Sequence, residues 1–157
     1  MKRIIVFFSS GFYIGYIKFA SGTFGSLLGL LFWILFVQCN TYSYHFLYLG
    51  GIFIFSILLS YIAEKVYDVK DDCKIIIDEI CGLWFALAFL PKNFYFLTTG
   101  FLVFRLFDIT KPFFIKTSQK LNGGFGIVID DVLAGILTNI VLHFSKIIYY
   151  KYKQLFF

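Results

Sequence analysis

Charge is what this 157-residue chain has least of. Only 15% of its residues are Asp, Glu, Lys or Arg and 60% are apolar, whereas a soluble domain is about 25% charged. That excludes a surface turned mostly to water. Between residues 19 and 63 there is no Asp, Glu, Lys or Arg at all. Cysteines are few (Cys39, Cys73 and Cys81) and no CxxC occurs, which excludes a disulfide framework and a thiolate zinc site. No cysteine has an arginine six residues on, so a Cys-nucleophile phosphatase loop is absent. The two histidines, His45 and His143, stand isolated in apolar runs, which excludes the paired histidines of a nucleophilic-histidine lipid phosphatase. No DGxxAR string occurs, so a CDP-alcohol transferase is excluded too. The net charge of +5 comes from scattered basic residues; without a basic run, nucleic acid is not an expected partner. No internal repeat, low-complexity stretch or linker interrupts the chain, so residues 1–157 read as a single membrane-embedded domain.

What is present is a series of apolar segments. Long uncharged runs without period-2 alternation predict helices rather than strands, because lipid demands that each backbone group bond within the segment or a closed barrel. Helices are expected over 22–37 and 44–63, joined by the polar turn Gln38-Cys39-Asn40-Thr41. A charged loop follows over 64–74, with Asp68, Asp71 and Asp72 reading as solvated. Apolar segments at 75–90 and 94–107, around the turn Pro91-Lys92-Asn93, read as a helical hairpin. A polar, glycine-bearing stretch, 110–126, precedes a last helix over 132–150. The start, Lys2-Arg3 and then an apolar run to Ile17, imitates a signal peptide. It lacks a small-x-small cleavage site and is shorter than the roughly 20 residues of a spanning helix, so an interfacial or partly inserted helix is expected. Gly25 and Gly29 are spaced to let another helix approach closely. The fold class is all-α: a multi-helical integral membrane protein built of helical hairpins.

The nine carboxylates carry the functional reading. Asp78, Glu79, Asp108, Asp130 and Asp131 lie in or beside apolar segments, where a charge costs at least about 2.5 kcal/mol at the bilayer centre. Folding the hairpin about Pro91 returns Asp108 to the side of Asp78 and Glu79. The stretch 110–126 is too polar to cross, so Asp130 and Asp131 join them, as do Thr23 and Ser26. With the N-terminus on that side too, Lys2, Arg3, Lys18, Lys65, Lys70, Lys74, Arg105, Lys111, Lys116 and Lys120 share it. Lys92, Lys146, Lys151 and Lys153 lie opposite, and the imbalance makes the acid-bearing side cytoplasmic. Clustered carboxylates repel one another unless a cation intervenes, and hard oxygen ligands suit Mg²⁺ or Mn²⁺. Arg105, Asp108 and Lys111 share a helix face if the helix continues. Cations beside a metal-binding acid cluster make up a phosphoryl-transfer site. A cation transporter or channel is the first alternative, though its acids would be distributed through the membrane depth. A non-enzymatic membrane subunit is the second.

Four motifs follow in order: Gly22-Thr23-Phe24-Gly25-Ser26; Asp78-Glu79-Ile80-Cys81-Gly82-Leu83-Trp84; Phe104-Arg105-Leu106-Phe107-Asp108-Ile109-Thr110-Lys111-Pro112; and Gly123-Gly124-Phe125-Gly126-Ile127-Val128-Ile129-Asp130-Asp131-Val132-Leu133-Ala134-Gly135. Their order and spacing resemble the phosphatidylglycerophosphatase A family over roughly residues 10–145. Departures fall in turns and loops, at Ser21, Phe113-Phe114 and Asn122. The resemblance implies a Mg²⁺-dependent hydrolase of the bacterial cytoplasmic membrane that converts phosphatidylglycerophosphate into phosphatidylglycerol and phosphate. The five acids would hold one or two Mg²⁺, with Glu79 or Asp131 kept free as general base; a covalent aspartyl-phosphate route stays open. Arg105 and Lys111 would hold the phosphate with Thr23, Gly25 and Ser26 at the helix start. Gly123, Gly124 and Gly126 would form a loop passing close to metal or phosphate.

Overall fold

A computed structural model describes residues 2–37, 41–112, 115 and 123–156. Most of the polar turn at 38–41, along with Phe113-Phe114, Lys116, Lys120 and Asn122, lies outside the described residues, as does the side chain of Lys153. Among the described residues the chain is entirely helical, with no strand. Helix α1 (Lys2–Ser9) leads through a 3-10 turn (Ile14–Tyr16) into α2 (Ser21–Phe32), which continues as a π-helical turn over Trp33–Val37. A 3-10 turn (Tyr42–Tyr44) opens α3 (His45–Tyr67); α4 (Ile77–Leu87), α5 (Phe94–Thr110) and α6 (Gly123–Phe156) complete the bundle. The segments Tyr42–Tyr67 and Gly123–Ile148 are long and apolar enough to cross a membrane. The exterior is apolar as well: Phe46 is 73% exposed, Ile109 70% and Phe144 65%. In water so large an apolar exterior would be an association or membrane surface.

Several expected boundaries move, among them the end of α6, which lies at Phe156 rather than Tyr150, and the ends of α4, at Ile77 and Leu87. Helix α3 runs on through Glu64 and Lys65 to Tyr67 and ends where the Asp68 amide donates to the Glu64 carbonyl at 2.9 Å, with Asp68 left-handed at φ 56°. The charged loop is therefore shorter than its charges suggest, since Lys65 in a last helical turn complements the dipole. Helix α5 reaches Thr110. Helix α6 begins at Gly123, so Gly123, Gly124 and Gly126 belong to its first turns rather than to a loop. Asp130 and Asp131 then lie about two turns inside it, roughly 12 Å from its start at 1.5 Å per residue.

Helix α4 is the axis of the bundle. It packs on α2, α3, α5 and α6, and apart from Glu79 and Phe85 each of its residues is buried. A helix that is apolar all round belongs inside a protein, and small residues let its neighbours come close. A Cβ at Gly25 would lie 2.9 Å from Ile76 Cβ, and one at Gly29 would lie 3.0 Å from Ile80 Cα. The Gly25–Gly29 pair is thus the close-approach face of α2, and the indole of Trp84 donates to the Gly29 carbonyl at 3.0 Å across it. On the other flank a Cβ at Gly135 would lie 2.2 Å from the Gly82 carbonyl oxygen, and one at Gly82 would lie 2.6 Å from that of Asp131. Farther along, Asn139 bonds the carbonyls of Ala86 and Ala88. Residue numbers rise together on the two helices, so α4 and α6 run parallel.

The N-terminal segment clamps the approach to α4. The Ile76 amide donates to the Ser9 carbonyl at 2.9 Å, and Gly15 packs so tightly that a Cβ would lie 2.2 Å from the Lys74 carbonyl oxygen. Asp72, buried rather than solvated, accepts from the amide of Lys74 at 2.9 Å and from its ammonium at 3.0 Å. The loop before α4 is therefore built, not loose.

Candidate active site

Asp78 and Glu79 occupy the first turn of α4, where carboxylates complement the helix dipole. Asp131 reaches them from α6, and one carboxylate oxygen from each of the three lies within 4.8 Å of the others. Asp78 Oδ1 and Glu79 Oε2 are buried without a hydrogen-bond partner. Orphaned acceptors among mutually repelling acids are the donor set of a hard divalent cation, so these residues fit Mg²⁺.

The other two acids hold the cations. Arg105 pairs with Asp108 one turn on, and its Nη1 donates to Ser26 Oγ at 3.3 Å. Ser26 in turn donates to the Gly22 carbonyl at 2.8 Å. Lys111 stands past the end of α5 in the left-handed region (φ 40°), where its ammonium reaches Asp130 at 2.5 Å and Asp108 at 4.0 Å. Burial works against the Lys111 charge. The hydrogen bond to Asp130 and the charges of Asp130, Asp131 and Asp108 outweigh it and raise the pKa, so the lysine stays cationic. The expected continuation of α5 to Lys111 is not needed for this grouping.

All five predicted acids and both predicted cations thus come together, with a division of labour. Three acids face one another, while Asp108 and Asp130 face Arg105 and Lys111, Asp108 lying against Asp131 as well. Of the expected phosphate contacts, Ser26 is buried and orients Arg105. Gly25 does not face the centre; it is spent on packing against Ile76. The Thr23 amide donates to the Ala20 carbonyl at 2.9 Å within the turn. Gly124 packs against α3, where a Cβ would lie 2.2 Å from the Ile57 carbonyl oxygen. The backbone at Gly124 does approach another closely, but its neighbour is a helix rather than a metal or phosphate.

Two further residues border the site. A Cβ on Gly22 would lie 2.6 Å from Glu79 Oε1 and 3.1 Å from Arg105 Nη1; its place at the head of the first motif was the available signal. Asp71, exposed over much of its surface and left-handed at φ 54°, carries a carboxyl whose pKa is raised by burial and then by the charge of Asp130, with Lys111 opposing. Nothing in the local sequence separates it from Asp68.

An all-helical, apolar-surfaced bundle with buried acids, a guanidinium and an ammonium gathered at one level has the make-up of a membrane-associated phosphoryl-transfer protein. The chain belongs to the phosphatidylglycerophosphatase A family, whose model matches residues 7–146. It is 35% identical over 136 residues to the phosphatidylglycerophosphatase A of Escherichia coli, covering 85% of this chain and 78% of that one. To the Haemophilus influenzae protein of the same name it is 35% identical over 134 residues, covering 84% and 82%. A Bacteroides thetaiotaomicron protein, provisionally named a phosphatidylinositol-3-phosphatase, is 30% identical over 155 residues, covering 93% and 98%. No solved structure matches the chain.

Proposed function

We propose that the chain is a Mg²⁺-dependent phosphatidylglycerophosphatase of the bacterial cytoplasmic membrane, crossing it several times with its acid centre turned to the cytoplasm. The observation that carries this reading is the meeting of Asp78, Glu79 and Asp131 beside Arg105. The family and two of the relatives support the activity; the donor set supports the metal. Asp78, Glu79 and Asp131 would hold Mg²⁺, which supplies positive charge against the phosphate oxygens and the attacking water. Arg105, held by Ser26 and Asp108, presents its guanidinium to the phosphate, and Lys111 adds a point charge from the other side. Glu79 or Asp131, whichever keeps an oxygen off the metal, takes the proton of the attacking water. Burial of these groups strengthens each interaction.

The Bacteroides relative favours a second head group, a phosphoinositide 3-phosphate. Both lipids are phosphate monoesters, so the same centre serves either. Purified in detergent, the chain is expected to release phosphate from phosphatidylglycerophosphate with Mg²⁺ and not with EDTA, and to act more slowly on phosphatidylinositol 3-phosphate. The reverse preference would transfer the assignment to the phosphoinositide. Phosphate release unaffected by EDTA would remove the metal.

A further inference from the structure

Away from the acid centre, the most constrained polar group lies at the opposite end of α4. That helix stops inside the bundle: Ala88 is extended (ψ 135°) and Phe89 is left-handed (φ 60°). A helix end leaves its last carbonyls without intrahelical partners, and apolar surroundings make each of them costly. Here the carbonyls of Ala86, Leu87 and Ala88 have partners from outside the helix or from the turn. The single amide nitrogen of Asn139 donates to the Ala86 carbonyl at 3.0 Å and to the Ala88 carbonyl at 2.8 Å. The Leu90 amide donates to the Leu87 carbonyl at 3.3 Å. The Phe89 amide donates to Nδ1 of His45 at 3.2 Å. His45 is 1% exposed, and its ring sits among Trp33, Tyr42 and Phe89 at centroid distances of 5.2, 5.2 and 5.3 Å. Because Nδ1 accepts, the imidazole is neutral with its proton on Nε2.

Asn139 stands on the same stripe of α6 as Asp131 and Gly135, at four-residue spacing, and that stripe faces Asp78, Gly82 and Ala86 on the parallel helix α4. The glycine contact in the middle brings the helices close and restricts sliding by exclusion. The hydrogen bonds at the end add a directional constraint. We infer that Asn139 and His45 are positioning residues, fixing the inner end of α4 and thereby the axial register in which Asp78 and Glu79 meet Asp131. Slippage by one residue would move the acids by about 1.5 Å, while metal–ligand distances tolerate only about 0.2 Å. The inference rests on the reading of those acids as a divalent-cation site.

The test uses the full chain in detergent, with Mn²⁺ binding followed by electron paramagnetic resonance beside Mg²⁺-dependent phosphate release. Asn139→Leu, which keeps the volume and removes both donors, is expected to weaken Mn²⁺ binding at least tenfold. The Mg²⁺ needed for half-maximal rate should rise in parallel, with KM for the lipid within twofold of wild type. His45→Phe is expected to act in the same direction. His45→Asn, whose Oδ1 can stand where Nδ1 stands, is expected to keep wild-type affinity. Wild-type Mn²⁺ affinity in both Asn139→Leu and His45→Phe, even with lowered melting temperatures, would overturn the inference. Should Asn139→Leu fail to fold, equal affinities in the His45 pair would do the same. A wild type that binds Mn²⁺ but hydrolyses no lipid phosphate ends the phosphatase reading, while the affinity comparison still decides the register. A wild type that binds no Mn²⁺ removes the metal and overturns the register inference, whatever its phosphatase activity.

Discussion

Gly22 has no side chain, yet what it leaves open is shaped by two that matter: Glu79 and Arg105 both fall where its Cβ would be. Gly22→Ala is therefore expected to lower kcat roughly 10- to 100-fold, since small displacements of reacting groups cost that much, with little change in the melting temperature in detergent. A wild-type rate would show that the two side chains have room to yield. Asp131→Asn takes away one of three facing carboxylates and is expected to lower phosphate release at least about 100-fold, on the scale of losing a principal charge-stabilising group; retention of half the wild-type rate would remove Asp131 from the centre. The charged residues of the site were legible because charge is so scarce: in a chain with nine carboxylates, five in apolar context declare themselves. The Arg105–Asp108 pair was legible from its i,i+3 spacing. That of Lys111 with Asp130 was not, because it depends on how α6 is rotated, which composition does not encode. Asp71, read as solvated, is exposed; its nearness to Asp130 was not legible, being set by the path of a loop.

At the scale of elements, glycine has opposite meanings in two helices. Gly135 of α6 faces the Gly82 carbonyl of α4 at the point of closest approach, whereas Gly50 of α3 has open space where a Cβ would go. Gly135→Ala is expected to destabilise the protein by about 1–3 kcal/mol, the cost of overpacking, and to lower activity by prising α4 from α6. Gly50→Ala is expected to be neutral or to stabilise by up to about 1 kcal/mol, the ordinary gain for alanine in a helix. Thermal melts of the two variants side by side check this; a Gly135→Ala protein as stable as wild type would contradict the packing. The helices themselves were readable from their uncharged runs, and the hairpin from Pro91 and Asn93, whose side chain caps α5 by accepting from the Phe96 amide at 3.0 Å. The extra turns of α3 and α6 were not. Glu64 and Lys65 look like a loop by polarity, and Gly123-Gly124-Phe125-Gly126 looks like one by flexibility, until the contact of Gly124 with Ile57 and Tyr61 supplies a reason to be helical there.

For the whole molecule, the proposed topology puts Cys73, which is exposed, on the cytoplasmic face and Lys92 on the other. With Cys39 and Cys81 changed to serine, a membrane-impermeant maleimide is expected to label Cys73 in inverted vesicles and not in intact cells. Lys92→Cys, in a background where Cys73 is also serine, is expected to show the opposite pattern. Labelling of both positions from one side would overturn the topology.

The acids of α6 lie two helical turns inside its first residue rather than at its tip. Under the proposed function, a phosphate ester arriving from water would have to shed its hydration among apolar side chains to reach them. An ester already held at the membrane surface by its tails would start from closer by, so access as well as fit would set which phosphates are hydrolysed.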